Sequence, residues 1–295
     1  YTTVMTGWSL IDTLTTKDGK LAITGGVHHH SVDTSHNDDK TASGRRDQSS
    51  ATSPIWGLTY KVNPNTTVYA NHTETFSEGG VVSPGYLNEG STIPPSKTKQ
   101  NEIGVKMKSG AFLHTLSAFK NTQQSSITVP DSKDPSKFWY TLNGENEYKG
   151  LEYSAVGALS DKWDMIFGIA YMDAEKSKTQ GGKNDGRKVC GIPKWSGDLA
   201  LTYKPDKATK FISRLNYTGK TRIHDTSSYA MPIGISSITL LDLGASYDTK
   251  IAGYDATITA MCYNVFNKNY WYASGDNSVG LGAPRNFMVT ANFKF

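Results

Sequence analysis

Cysteine is scarce in this chain: two in 295 residues, Cys190 and Cys262, which excludes a disulfide-built scaffold. Long apolar runs are missing as well, and none approaches the roughly 20 residues that a membrane-crossing helix needs. Charge of one sign is lacking too, because 31 basic and 27 acidic residues intermix to a net charge of +4. That leaves no basic face and argues against nucleic acid as a partner. The catalytic signatures sought, a Gly-x-Ser-x-Gly elbow and a His-Glu-x-x-His helix, do not occur, and no histidine and carboxylate cluster is tied to one loop rim. An enzyme is therefore not expected.

Glycine and tyrosine are plentiful, at 28 and 16 residues, and six tryptophans accompany them. Without spanning helices, a chain can cross a bilayer only as a closed β-barrel, the other way to pair every backbone polar group in lipid. A mean hydropathy of −0.48 is compatible with that, since only alternate strand residues would face lipid. The chain divides into about thirteen strand candidates by alternation and turn residues. They are residues 9–15, 21–30, 55–61, 68–76, 102–108, 112–121, 149–159, 164–173, 197–204, 210–219, 239–248, 255–266 and 286–295. Short turns (Thr16 to Lys20, Asn63-Pro64-Asn65, Ser109-Gly110, Ser160 to Lys162, Pro205 to Lys207, Ile251 to Gly253) alternate with long polar connections throughout. A barrel with tight turns at one rim and loops at the other has that rhythm, whereas Greek-key crossings in a sandwich give no reason for it.

Faces within strands agree. Trp56, Leu58 and Tyr60 oppose Gly57, Thr59 and Lys61; Leu199, Leu201 and Tyr203 oppose Asp198, Thr202 and Lys204; Phe287, Val289, Ala291, Phe293 and Phe295 oppose Met288, Thr290, Asn292 and Lys294. Tyr60, Tyr203 and Tyr247 adjoin short turns, and Tyr171 and Tyr217 adjoin long loops, as two interfacial aromatic girdles would. Leu10, Ile11, Leu14 and the run Phe112 to Phe119 do not sort into faces. The fold expected is all-β: a transmembrane antiparallel barrel in the bacterial outer membrane, in contact with its lipid.

Several segments, in order, resemble a known family. Ile55 to Phe76, Pro94 to Lys106, the Asn143-Gly144-Glu145 and Lys149-Gly150-Leu151-Glu152 pair, and Asn264 to Trp271 with Gly282-Ala283-Pro284-Arg285 are similar to the barrel strands of TonB-dependent siderophore receptors. Receptors for ferric hydroxamate siderophores are the nearest group. The resemblance implies energised uptake of a ferric siderophore, with the TonB complex engaging an N-terminal plug domain. Such receptors have about 22 strands, so the chain is expected to be the C-terminal part of a larger barrel, without plug, first strands, initiating Met or leader. A haem or other TonB-dependent receptor is the competitor within the family, and a small porin or enzyme barrel outside it.

A hydroxamate complex already fills its metal's coordination shell. The protein then needs no cofactor and no metal ligands of its own, only aromatic surfaces and donors around a compact cargo. Loop candidates are Tyr86, Phe138, Trp139, Tyr140, Tyr229, Tyr270, Trp271 and Tyr272, with Arg285 as a donor; the simpler reading gives them to the outer girdle or to loop packing. His28, His29 and His30 invite a metal or haem reading, but neighbours in a strand point to opposite faces. Alternation puts His28 and His30 on the polar side, where they could meet ligand, and His29 on the other; the simpler reading is three solvated histidines at a loop base. Asn63-Pro64-Asn65 is similar to a haem-receptor motif but sits on a short turn. Asp38, Asp39 and Asp47 alternate with Lys40, Arg45 and Arg46 and read as solvated loop rather than a cation site. Cys190, in a loop, and Cys262, in a strand, are equally readable as a disulfide or as unrelated thiols.

Overall fold

The computed structural model describes residues 2–36, 45–77, 79–223, 234–275 and 278–294. In chain order its strands are β1 (Thr2–Thr15), β2 (Leu21–His36), β3 (Arg45–Asn63), β4 (Thr66–Ser77), β5 (Gly80–Val81), β6 (Thr92–Ile93), β7 (Ser96–Ser109), β8 (Phe112–Pro130), β9 (Phe138–Ser160) and β10 (Trp163–Lys178). There follow β11 (Trp195–Tyr203), β12 (Thr209–Thr218), β13 (Thr221–Arg222), β14 (Gly234–Ile235), β15 (Ile238–Ile251), β16 (Tyr254–Tyr263), β17 (Trp271–Gly275), β18 (Ser278–Leu281) and β19 (Asn286–Lys294). Thirteen of them pair in the order β1-β2-β3-β4-β7-β8-β9-β10-β11-β12-β15-β16-β19, and the six short ones form three two-stranded ribbons within the long connections. No described helix is long and apolar enough to cross a membrane.

The expected strand number and alternation of short and long connections hold, but most strands are longer than alternation indicates. β2 continues to His36, β3 starts at Arg45, β8 reaches Pro130 and β9 starts at Phe138, so the connection expected up to Asn146 shrinks to residues 131–137. Alternation marks a strand only where one face is apolar and the other wet. Some of the added stretches, such as Thr122 to Ser126, are polar at every position, so no apolar face marks them and the period of two vanishes.

Two compact units divide the contacts: Tyr1–Gly104 with Ala118–Lys149 and Ala174–Lys188, and Val105–Ser117 with Gly150–Asp173 and Val189–Phe295. In the first unit, register places Trp8 opposite His29, Leu10 opposite Val27 and Leu14 opposite Ile23, and then Ile23 opposite Leu58 and Gly25 opposite Trp56. Leu10 and Leu14 therefore share an apolar face with Trp8, resolving the strand that sequence could not sort; Ile11 lies on the opposite face. Asp12 falls on the Leu10 side, its carboxylate accepting from the N–H of Thr13 at 2.7 Å. On the polar face, Tyr69 donates to Glu102 at 2.6 Å.

In the second unit, Phe167, Leu199, Leu215 and Leu241 follow one another across four strands on the apolar face. Rings cap this face at both ends. Near the short turns Trp163 stacks on Tyr203 with centroids 4.7 Å apart, and Tyr203 meets Phe211 at 6.4 Å. Near the long loops Tyr171 meets Trp195 at 5.1 Å. Such pairs contribute about 0.5–1.5 kcal/mol beyond the area they cover. Large apolar side chains of the interior strands lie outside: Trp56, Leu58, Leu215 and Leu243 are 46%, 41%, 41% and 41% exposed. The buried apolar residues among those described are only Val32, Val82, Phe119, Ala155, Ala174 and Ala256. A chain that presents its apolar side chains outward and keeps so small a core is built for a lipid solvent.

All six short turns fall where the sequence places them, and four are fastened by their own side chains. Thr16 donates to Asp18 at 2.6 Å, and Asn63 accepts from the N–H of Asn65 at 2.9 Å. Ser160 accepts from that of Lys162 at 3.3 Å, and Asp206 from those of Ala208 and Thr209 at 2.8 Å each. The remaining two use left-handed backbone, at Gly110 and at Ala252 with Gly253.

Candidate ligand-binding surfaces

Within the first unit, the segment after β5 folds onto the tip of the β8–β9 hairpin. Asn88 fastens it at both polar ends of its amide: Nδ2 donates to the Tyr140 carbonyl at 2.9 Å, and Oδ1 accepts the Tyr140 N–H at 3.0 Å. The N–H of Leu87 adds a bond to the Phe138 carbonyl at 2.9 Å. This seats Tyr86 edge-on to Tyr140, centroids 5.6 Å apart. Trp139 projects elsewhere; its indole donates to Asp131 at 3.0 Å. That bond, with the N–H groups of Lys133 and Asp134, holds the Asp131 carboxyl below the usual aspartate range. The sequence brought Tyr86, Trp139 and Tyr140 forward as rings; Asn88, which joins two of them, carries no signal beyond its turn-forming type.

Within the second unit, Asn264 organises the connection from β16 to β19. It adopts a left-handed backbone, φ 50°, a conformation asparagine enters more readily than most residues. Its side chain is buried. Nδ2 donates to the carbonyls of Lys268 (2.9 Å) and Ala283 (3.1 Å), and Oδ1 accepts the Lys268 N–H at 2.9 Å. The Asn264 N–H itself reaches Asp242 at 2.9 Å. Gly282 then lies flat beneath the Tyr270 ring and Gly280 beneath that of Tyr272, where any Cβ would collide with the ring. Tyr270 and Trp271 line a cavity of about 440 Å³ with Ile223, Ile235, Ile238 and Val279. Trp271 and Tyr272 are 56% and 50% exposed. Arg285 is drawn into the same knot: its N–H donates to Asn267 at 2.9 Å and its guanidinium to the Val265 carbonyl at 3.4 Å.

On the polar face of this unit a second cavity, about 410 Å³, is lined by Ser117, Glu152, Asp198, Arg214, Asn216 and Thr218. Arg214 stands opposite Asp242 in register. Both signs of charge are present, which suits hydrogen-bonded polar contacts rather than one ionic partner.

His28 and His30 do share the polar face, opposite Ser9 and Gly7, while His29 turns to the other side, stacking on Trp8 at 5.6 Å and bonding Thr52 at 2.8 Å. No group of three or more metal-binding side chains occurs among the described residues. Cys262 is a free thiol in β16, so the disulfide allowed by chemistry is not made. Tyr229, Asp38 and Asp39 lie outside the described residues, as does the side chain of Asp47.

Long antiparallel strands with an outward apolar face, ringed by aromatic side chains and joined by short turns at one end and ring-bearing loops at the other, define a stretch of outer-membrane β-barrel. Residues 4–265 match the family described as TonB dependent receptor-like, beta-barrel, and the chain belongs to that family. It is similar to the ferrichrome receptor FcuA of Yersinia enterocolitica, 27% identical over 302 residues that cover 98% of this chain and 38% of the relative. The ferrichrome outer membrane transporter/phage receptor of Escherichia coli K12 is 27% identical over 81% of this chain and 31% of its own. Among solved structures, BauA, the ferric preacinetobactin receptor of Acinetobacter baumannii, superposes with a TM-score of 0.80 at 32% identity, covering 99% of this chain and 43% of that one. The chain thus spans well under half the length of these proteins.

Proposed function

We propose that this chain is part of the barrel of an outer-membrane receptor that takes up a ferric siderophore with energy delivered through TonB. The observation that carries the reading is a match over 98% of the chain to a ferrichrome receptor, on a fold whose long connections hold exposed rings in fixed places. Tyr86, Trp139 and Tyr140 in one unit, and Tyr270, Trp271 and Tyr272 in the other, offer flat apolar surfaces with hydroxyl or indole donors, suited to a bulky and weakly charged complex. Arg285 has five N–H donors, and its bond to Val265 leaves others for cargo. Tyr229 joins these candidates from sequence alone, and His28 and His30 face the lumen. The cargo brings its own iron ligands, the hydroxamate class being the one the sequence resembles, so no resident cofactor is needed. TonB would act through a plug supplied by the N-terminal part of the complete receptor. The family is one of receptors and transporters, which supports a non-enzymatic role.

The test is uptake of iron-55 siderophore by cells that lack their own receptor and express the complete protein. Saturable uptake abolished by a protonophore is expected; non-saturable uptake indifferent to proton-motive force would replace this reading with a passive pore. Trp271→Ala is expected to weaken cargo binding more than Trp56→Ala, because Trp56 lies on the apolar face, stacked on His72 at 5.9 Å. Equal losses would move the binding surface away from the β16–β19 loop.

A further inference from the structure

We infer that His28 and His30 form a two-imidazole site for a late divalent transition-metal ion on the polar face of β2, separate from the iron carried in by the cargo. Residues two apart in a strand project from the same face, and here the two rings stack at 6.2 Å between centroids with 23° between their planes. A metal–nitrogen bond is about 2.0–2.1 Å, which puts each ring centroid about 3 Å from the metal. Two rings on a tetrahedral ion are then about 5 Å apart. A convergence of about 1 Å, together with a rotation of the rings that turns one nitrogen of each toward a common point, brings the observed pair to that geometry.

Two further features favour a ligand here. Ser9 Oγ lies 2.6 Å from His28 Nδ1, the outer hydrogen bond that fixes a ring's orientation and tautomer when the opposite nitrogen binds metal. Facing His30 in register is Gly7; a Cβ there would lie 3.6 Å from His28 Cε1 and 3.7 Å from His30 Nδ1. The missing side chain leaves the space beside both rings open. The other neighbours in register, Ala51 and Ser53, are small as well. Imidazole selects copper, nickel and zinc over magnesium and calcium, and two protein ligands leave the remaining positions to water.

The probe is Cu²⁺ alone, the strongest binder of its series, added to the complete receptor purified in detergent without an affinity tag. Calorimetry and electron paramagnetic resonance are expected to show one tight Cu²⁺ per chain with hyperfine structure from two nitrogens. His28→Gln and His30→Gln should each weaken binding at least tenfold and leave one nitrogen, Ser9→Ala about tenfold as an outer-bond loss, and His29→Gln not at all. Binding equally reduced by His29→Gln, a spectrum unchanged in His30→Gln, or no stoichiometric Cu²⁺ would overturn the assignment.

Discussion

Replacing Asn264 by alanine should loosen the aromatic loop between β16 and β19 while leaving the sheet in place. The substitution removes three side-chain hydrogen bonds, to Lys268 twice and to Ala283, each contributing about 1 kcal/mol net. It also puts alanine in a left-handed conformation, φ 50°, at a cost of about 1 kcal/mol more than asparagine bears. The sum, about 4 kcal/mol, corresponds to roughly a thousandfold in the opening equilibrium. Water reaching the released carbonyls returns part of this, so about a hundredfold to a thousandfold is expected. Hydrogen exchange read by mass spectrometry is the assay. The reporters are the amides of Gly282 and Arg285, which bond to Tyr270 and Asn267 and not to the altered side chain. Both should exchange faster by that factor, while the amide of Lys204, bonded to the Lys162 carbonyl where two neighbouring short turns meet, should not change. Unaltered exchange at Gly282 and Arg285 would refute the idea that one side chain holds the loop.

Asn88→Ala removes both bonds to Tyr140, about 2 kcal/mol, and should speed limited proteolysis within residues 82–91 by more than tenfold; an unchanged rate would mean the segment is held by other contacts. Gly282→Ala drives a methyl group into the Tyr270 ring, so cargo affinity should fall with little change in the heat-induced gel shift of the barrel. Asp131 titrates below its ordinary 3.8 because the Trp139 indole and two backbone N–H groups bond its anion. A lowered folded value means that the contribution is fully present above the unfolded value and lost as pH falls through the folded one. Trp139 fluorescence should therefore stay constant from neutrality to about pH 4 and change only below it, and a midpoint near pH 6 would contradict the bonding seen.

Much of the architecture is legible in the sequence because the bilayer imposes it. Wherever lipid touches one face, as along Trp56, Leu58 and Tyr60, the period of two identifies the strand, and each turn is marked by Asp, Asn, Ser, Pro or Gly. Legibility ends where the membrane does. The hairpin from Thr122 to Asn146 is mostly strand in the structure, yet parts of it, such as Thr122 to Ser126, are polar at every position and carry no period. The rings of the candidate surfaces are visible as residue types, but their grouping is not. Tyr86 meets Tyr140 across 54 positions through a clasp at Asn88, an unremarkable residue by composition. Arg285 is legible as a donor for cargo or as a loop-packing residue, and the structure shows it tying the loop that carries Trp271.

The four side-chain-fastened turns have a consequence for how such a chain is assembled. Each draws its hydrogen bonds from residues within a few positions, as between Asp206 and Ala208 or Asn63 and Asn65, so closing it needs no distant partner. Loops closed over so few residues form quickly and with little entropy lost. Neighbouring strands can therefore reach the membrane as ready-made hairpins, added in pairs from the turn outward, with the ring-bearing loops left to be arranged last.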